Sequence, residues 1–321
     1  MADAAGAAAP TTSAKRLVTP LPLALRSANS WLWPGPDPVV VDSGLGTPDA
    51  WQVLTDGLKE ANVDRARLRV VLTHGHADHA GNAHHLAREG ARIQGLAEEA
   101  PLVATYRRDQ AKRHALVEDA LRSHGCPPEA IEAVRARGRL FDSWMEDAPF
   151  EPLSPGSQVP LGRGEGVVHA APGHTAGSLL LALDTNEIVT GDTLLEHITS
   201  NAIELLERER GRYAQYLRTL DGLRRWAGCT ALPGHHDPFR ITEELLDGHL
   251  AKHEERSVKM KAQLEKPRTA WEVLPRVLPQ LATDQVFLGM CEMVGHLHAL
   301  EEDGEVAEKT GPDGVVRFVA V

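Results

Sequence analysis

Aromatic side chains are scarce, at 4% of 321 residues. That shortage argues against a surface that grips single strands by stacking bases. Cysteine is rarer still. Cys126, Cys229 and Cys291 are odd in number, far apart and without C-x-x-C pairing, which excludes a disulfide framework and points to a reducing, cytoplasmic setting. No apolar run reaches the ~18 residues of a membrane-spanning helix. Basic residues are outnumbered by acidic ones, 34 against 45, and the formal net charge is −11. Such a balance disfavours non-specific binding to nucleic acid or to an anionic membrane. The opening segment, MADAAGAAAPTTSAKR, has no leucine-rich core of a signal peptide, so residues 1–15 are expected to form a flexible tail. No internal repeat is evident.

What is present is an ordinary globular balance, 42% hydrophobic and 25% charged, with sixteen histidines as the unusual number. The length suits one large domain or two ordinary ones with a real core. Short β-branched runs (PVVV at 38–41, LRVVL at 68–72, then 166–169, 178–183 and 187–189) alternate with helical patterns at 51–58, 78–88 and 97–144. That interleaving predicts α/β layering. A charged helix is expected from Ile241 to about Lys266, with a boundary at Pro267. Beyond it the pattern reads helix (269–278), helix (285–303) and hairpin (305–309 with 315–320), the outline of a small winged-helix module. From Lys266 onward five Lys/Arg stand against nine Asp/Glu. A DNA-reading module shows a basic face, so this one is expected to pack internally or to form a homodimer contact.

The histidines concentrate where strands end. VVLTHGHADHAGN holds His74, His76, Asp78 and His79 within six residues, at the exit of one strand and the start of a helix. On the extended part, His74 and His76 point the same way and can share one ion, while Asp78 and His79 turn toward another. APGHTAGS places His174 after a Pro-Gly turn, EIVTGDTL places Asp192 directly after a strand, and ALPGHHDPF places His235 and His236 after a second Pro-Gly turn. Loops at strand ends are where a rigid scaffold gathers functional side chains.

This ordered set resembles the metallo-β-lactamase superfamily, over roughly residues 16–240. The resemblance implies an αββα sandwich with the metal site at one edge. It implies that His74, His76 and His174 hold a first metal, that Asp78, His79 and His235 hold a second, and that Asp192 bridges them. Asp42 matches an acidic residue that often ends an early strand in the family, where it is structural. In this family's frame, residues 97–146 form a helical insert that would serve as a lid or as packing, 241–266 a linking helix, and 267–321 the winged-helix-like module. The linking helix carries an H-x-x-R element, His253 to Arg256, similar to the lactamase-beta-like subgroup. One departure concerns the last motif, usually P-G-H-G, in which His236 replaces the glycine; His235 holds the motif position.

Two divalent ions sharing a water would lower its pKa and supply a bridging hydroxide as nucleophile, with no activated serine or cysteine. They would also stabilise the developing oxyanion, and Asp78 would carry a proton to the leaving group. Imidazole and carboxylate ligands suit zinc and also admit iron or manganese. Class B β-lactamases place a cysteine where Asp192 stands, flavodiiron proteins append a flavodoxin-like domain, and persulfide dioxygenases use one iron. With these set aside, the resemblance implies a hydrolase of small acyl substrates, thioester or lactone, of hydroxyacylglutathione-hydrolase type. The alternatives are an endoribonuclease or phosphodiesterase, and a binding protein that has lost turnover. Among the other histidines, His84 and His85 are expected to be solvated or beside the site rather than ligands, and His169 to pack on its strand; His197, five residues after Asp192, is a candidate for the pocket wall whose role the sequence leaves open.

Overall fold

A computed structural model describes residues 12–162 and 164–321. Residues 1–11 of the expected tail lie outside that range. Its last residue belongs to a strand instead, because β1 (Lys15–Pro20) pairs antiparallel along its length with β2 (Ser27–Trp33). Two strands thus precede the first one legible in the sequence, β3 (Val39–Val41). β2 reads SANSWLW, too polar to announce a buried strand. Its Asn29 is nevertheless fully buried because the Asn29 amide donates to the Pro233 and His236 carbonyls at 2.9 and 2.8 Å. Partners more than 200 residues away satisfy it.

After β3 come α1 (Pro48–Glu60), β4 (Arg69–Val71), α2 (Ala77–Ala80), α3 (Ala83–Arg88) and β5 (Arg92–Leu96). Thr47 caps α1, its hydroxyl accepting from the Ala50 amide, with Pro48 at the first helical position. The single helix expected from Asp78 to Arg88 is broken in two. Asn82 sits in the break, fully buried, and donates to the Ser43 and Leu45 carbonyls at 3.0 and 2.8 Å. The helical insert comprises α4 (Ala100–Val103), α5 (Gln110–Ser123) and α6 (Pro128–Asp142). Then follow β6 (Glu151–Leu153), β7 (Gln158–Leu161), β8 (Gly164–Ala170), β9 (Leu179–Leu183), β10 (Glu187–Gly191), α7 (Arg212–Gly222), β11 (Thr230–Pro233) and β12 (Phe239–Arg240).

The strands form two six-stranded mixed sheets, ordered β1-β2-β3-β4-β5-β6 and β12-β11-β10-β9-β8-β7. Alternation along each strand assigns the layers. Val39, Val41 and Val71 face Leu179, Leu181, Val189 and Leu232 in the core between the sheets. Val40 and Val70 face outward onto Leu54, Leu58 and Leu86 of α1 and α3. Leu180, Ile188 and Ala231 face the other way onto Tyr216, Leu220 and Leu246. The result is a four-layered αββα sandwich.

The long helix α8 runs Glu243–Lys261, shorter than the expected 241–266, with Thr242 as its cap. The C-terminal segment contains α9 (Ala270–Val277), α10 (Val286–Glu302) and the hairpin β13 (Val306–Thr310) and β14 (Val316–Ala320). It shares one hydrophobic cluster with the insert: Leu121 and Ile131 of α5 and α6 pack with Met260, Val273, Met290, Val294 and Phe318. Among the described residues, no helix is long and apolar enough to cross a membrane.

Candidate metal centre

The strand exits converge at one edge of the sandwich. β4 leads into the loop that carries His74 and His76, and α2 begins at Ala77, so Asp78 and His79 stand on its first turn. β10 ends at Gly191 and delivers Asp192, and β11 ends at Pro233 and delivers His235. The close approach of the last two loops needs a glycine in P-G-H. A Cβ at Gly234 would lie 2.2 Å from Asp192 Oδ1 and 2.7 Å from His79 Cε1.

Seven donors meet there in three overlapping groups: His74, His76 and His174; His74, His79 and Asp192; Asp78, His79 and His235. Within each group the ligand atoms lie within 4.8 Å of one another. His174 Nε2 is 2.9 Å from His76 Nδ1. His235 Nε2 lies 3.3 Å from Asp192 Oδ2 and 3.5 Å from Asp78 Oδ2, and His79 Nε2 lies 3.4 Å from Asp192 Oδ1. Donors about 2.1 Å from a tetrahedral ion stand ~3.4 Å apart. The 3.3, 3.4 and 3.5 Å separations on the carboxylate side therefore fit ligation better than direct hydrogen bonding. His74 Nε2, His79 Nε2, His235 Nε2 and Asp192 Oδ1 are buried and make no hydrogen bond among the described residues. Buried polar atoms need a partner, and cations held in these overlapping groups would supply one to each.

The opposite nitrogen of each of four buried imidazoles is anchored, which fixes which lone pair faces the centre. His74 Nδ1 is 3.0 Å from Thr73 Oγ1, whose own proton goes to Asp42 Oδ2 at 2.8 Å. His79 Nδ1 donates to Asp42 Oδ2 at 2.8 Å, and His235 Nδ1 to the Ser27 carbonyl at 2.7 Å. His174 Nδ1 donates to the Asn201 carbonyl at 2.7 Å, with Ser200 Oγ at 2.9 Å. Asp42, buried at φ +62°, thus does more than end a strand. It orients His79 directly and His74 through Thr73.

Charge divides the cluster in two. Burial and neighbouring imidazoles hold His74 well below its ordinary pKa and His76 down to about 3, so both present neutral lone pairs. Burial also lowers His174, against the pull of Asp192. His79 and His235 behave oppositely. Burial works against their charge, but Asp192 and its companion carboxylates prevail, pushing His79 well above its ordinary value and His235 up to about 10. Asp192 and Asp78 are depressed despite burial by the same imidazoles, Asp78 to about 2. The carboxylate side of the cluster demands positive charge, as a cation site does.

Other predicted positions fall outside the cluster. His236, at φ +64°, turns its ring away, 6.5 Å from the His235 ring between centroids. His197 is exposed and faces Glu196 at 3.2 Å. The rings of His84 and His85 lie 3.8 Å apart between centroids, tilted by 40°, and His169 packs edge-on against Trp226. Sequence reasoning missed Glu99, Ser200, Asn201 and the contact made by Arg256. Arg256 Nη1 donates to Thr199 Oγ1 at 2.8 Å and pairs with Glu292 of α10 at 3.1 Å. The H-x-x-R element was the one signal of it.

The chain is similar to known proteins in sequence and in fold. The profile of the metallo-beta-lactamase superfamily matches residues 24–235, and that of the metallo-beta-lactamase-like C-terminal domain matches residues 258–321. A probable metallo-hydrolase of Bacillus subtilis (strain 168), YqjP, is 26% identical over 293 residues, covering 88% of this chain and 91% of that protein. A metallo-beta-lactamase family protein from Thermus thermophilus superposes with a TM-score of 0.81 at 25% identity, covering 96% of this chain and 99% of that one. A beta-lactamase domain protein from Burkholderia ambifaria superposes with a TM-score of 0.83 at 23% identity, covering 97% and 93%.

Proposed function

The chain belongs to the metallo-beta-lactamase superfamily and is a metal-dependent hydrolase, and we propose that it cleaves small acyl substrates, a thioester or a lactone, in a reducing cytoplasm. The observation that carries the reading is the converging set of seven imidazole and carboxylate donors with orphaned lone pairs. In this proposal His74, His76 and His174 would hold one divalent ion and Asp78, His79 and His235 a second, with Asp192 shared between them. Imidazole and carboxylate ligands suit zinc, the default of this proposal, and also admit iron or manganese. Bound there, the ions supply an acidified water as nucleophile and a Lewis-acidic surface for the substrate oxygen.

The chain's own groups do the rest. Asp78 is the more open of the two carboxylates, its side chain 15% exposed against 10% for Asp192. With the ions bound, it would take up the proton released as the nucleophile forms and pass it to the departing thiolate or alkoxide. Asp42, Thr73, Ser27 and Asn201 keep the imidazoles oriented, so little reorganisation accompanies the reaction. The acyl preference is supported by the net charge of −11 and the acidic C-terminal segment, which oppose a polyanionic substrate.

The test is a parallel assay of the metal-loaded protein on a thioester, a lactone, bis-p-nitrophenyl phosphate and single-stranded RNA. Turnover is expected on an acyl substrate and at least ~100-fold less on the phosphodiesters. RNA cleavage as the dominant activity, weakening steeply with salt, would reverse the assignment.

A further inference from the structure

Glu99 is a buried carboxylate, 1% exposed, just beyond the end of β5 and outside the ligand set. It accepts three hydrogen bonds. Gly75 N reaches Oε2 at 2.6 Å, Gly177 N reaches Oε1 at 2.6 Å, and Thr175 Oγ1 reaches Oε1 at 2.8 Å. Gly75 stands between His74 and His76, and Thr175 follows His174. One carboxylate therefore fastens together the two loops, some hundred residues apart in sequence, that present the three-histidine group. The fit is close: a Cβ at Gly177 would lie 2.8 Å from Glu99 Oε1.

Resting on the metal-centre reading above, we propose that Glu99 is a positioning residue that sets the spacing of the His74–His76 loop from the His174 loop, and with it the metal affinity of the three-histidine position alone. The other position depends on different anchors, Asp42 for His79 and Ser27 for His235. The choice of a carboxylate has a physical reason. No side-chain cation donates to it among the described residues, and burial raises its pKa, with the Thr175, Gly75 and Gly177 donors opposing. Charge-assisted bonds to backbone amides are short and strong, and a buried carboxylate tolerates its surroundings only when all of them are made. The loops are therefore held in one relative placement. Glutamine has the same shape but carries an NH2 group, and whichever way the amide turns, that donor faces one loop's N–H. One loop must then let go.

The experiment measures metal affinity by competition with a chromophoric chelator, using Zn²⁺, in wild type and in a His235→Ala background that retains the three-histidine position. Glu99→Gln is expected to weaken that position about 10- to 100-fold, the range for removing a supporting partner of a ligand. In otherwise wild-type protein the second ion keeps its native affinity. Thr175→Val removes one of the three hydrogen bonds to Glu99, together with the contact between the Thr175 and Ser178 hydroxyls, and is expected to shift the same ion by a smaller factor, which keeps the test decisive should Glu99→Gln fold poorly. The melting temperature of the metal-free protein supplies the control. Native affinity for both ions in folded Glu99→Gln overturns the proposal. So does equal weakening of both ions in step with a fall in metal-free stability, the signature of a merely structural role. Failure of wild type itself to bind Zn²⁺ at the cluster would instead strike the metal-centre reading, and the two failures are thus distinguishable.

Discussion

At the scale of single residues, ligand-type side chains were legible and their supports were not. His74, His76, Asp78 and His79 crowd into six positions, so spacing alone singles them out. Asp42 shows only an acidic residue after three valines, and its contact with His79 spans 37 positions. That contact makes a prediction. Asp42 accepts from Thr73 N at 2.7 Å, Thr73 Oγ1 at 2.8 Å and His79 Nδ1 at 2.8 Å. Asparagine cannot accept all three without opposing an N–H to one of them, and it removes the negative charge that favours the ligating tautomer. Asp42→Asn is expected to weaken the Asp78–His79–His235 position about 10- to 100-fold in chelator competition, with circular dichroism unchanged. Native affinity in the folded variant would show that Asp42 only closes the strand.

At the scale of elements, strands announce themselves when their own side chains fill the core. β3, β4 and β10 are β-branched runs, buried along most of their length. β2 is equally buried but is held by Asn29 and by Trp31, whose indole donates to the Pro233 carbonyl at 3.1 Å, so its character depends on a strand exit far down the chain. The linking helix α8 raises a similar point. Arg256 on α8 reaches Thr199, and the two residues after Thr199 hold His174 Nδ1. On its other side Arg256 pairs with Glu292, whose pKa burial raises. Methionine at this position keeps length and packing but loses both contacts, leaving a buried carboxyl without its cation. Arg256→Met is expected to lower acyl turnover at least ~10-fold, through looser support of His174. A variant with native turnover and native chelator resistance would mean that the Thr199–Asn201 segment holds His174 unaided.

At the scale of the whole molecule, the C-terminal segment and the helical insert are one packing unit, although the whole second sheet lies between them in the chain. The insert's Leu121 and Ile131 share a core with Met290, Val294 and Phe318, and Met260 and Leu264 at the end of α8 complete it. No periodicity within either stretch could reveal this, because each supplies only half of a core. The arrangement bears on both expected roles of the insert, lid or packing, since Leu121 and Ile131 of α5 and α6 are committed to this shared core. Asn201 Nδ2 also donates to the Leu288 carbonyl of α10 at 2.7 Å, so the unit touches the segment that anchors His174.

A chain ending at Lys266 would uncover the apolar faces of α5, α6 and the end of α8 together, and burial of such side chains is worth about 1.5–3 kcal/mol each. Several lost at once are comparable with the ~5–15 kcal/mol that separates a typical domain from its unfolded state. Truncation after Lys266 is therefore expected to give insoluble or dye-binding, partly ordered protein, not an active αββα core with its tail removed. Solubility, 8-anilinonaphthalene-1-sulfonate fluorescence and near-ultraviolet circular dichroism read the outcome. Recovery of a soluble, cooperatively melting chain with native turnover would show that the sandwich holds its insert and its metal loops without this segment. In that case the contacts of Arg256 and Asn201 with α10 would be incidental to the site.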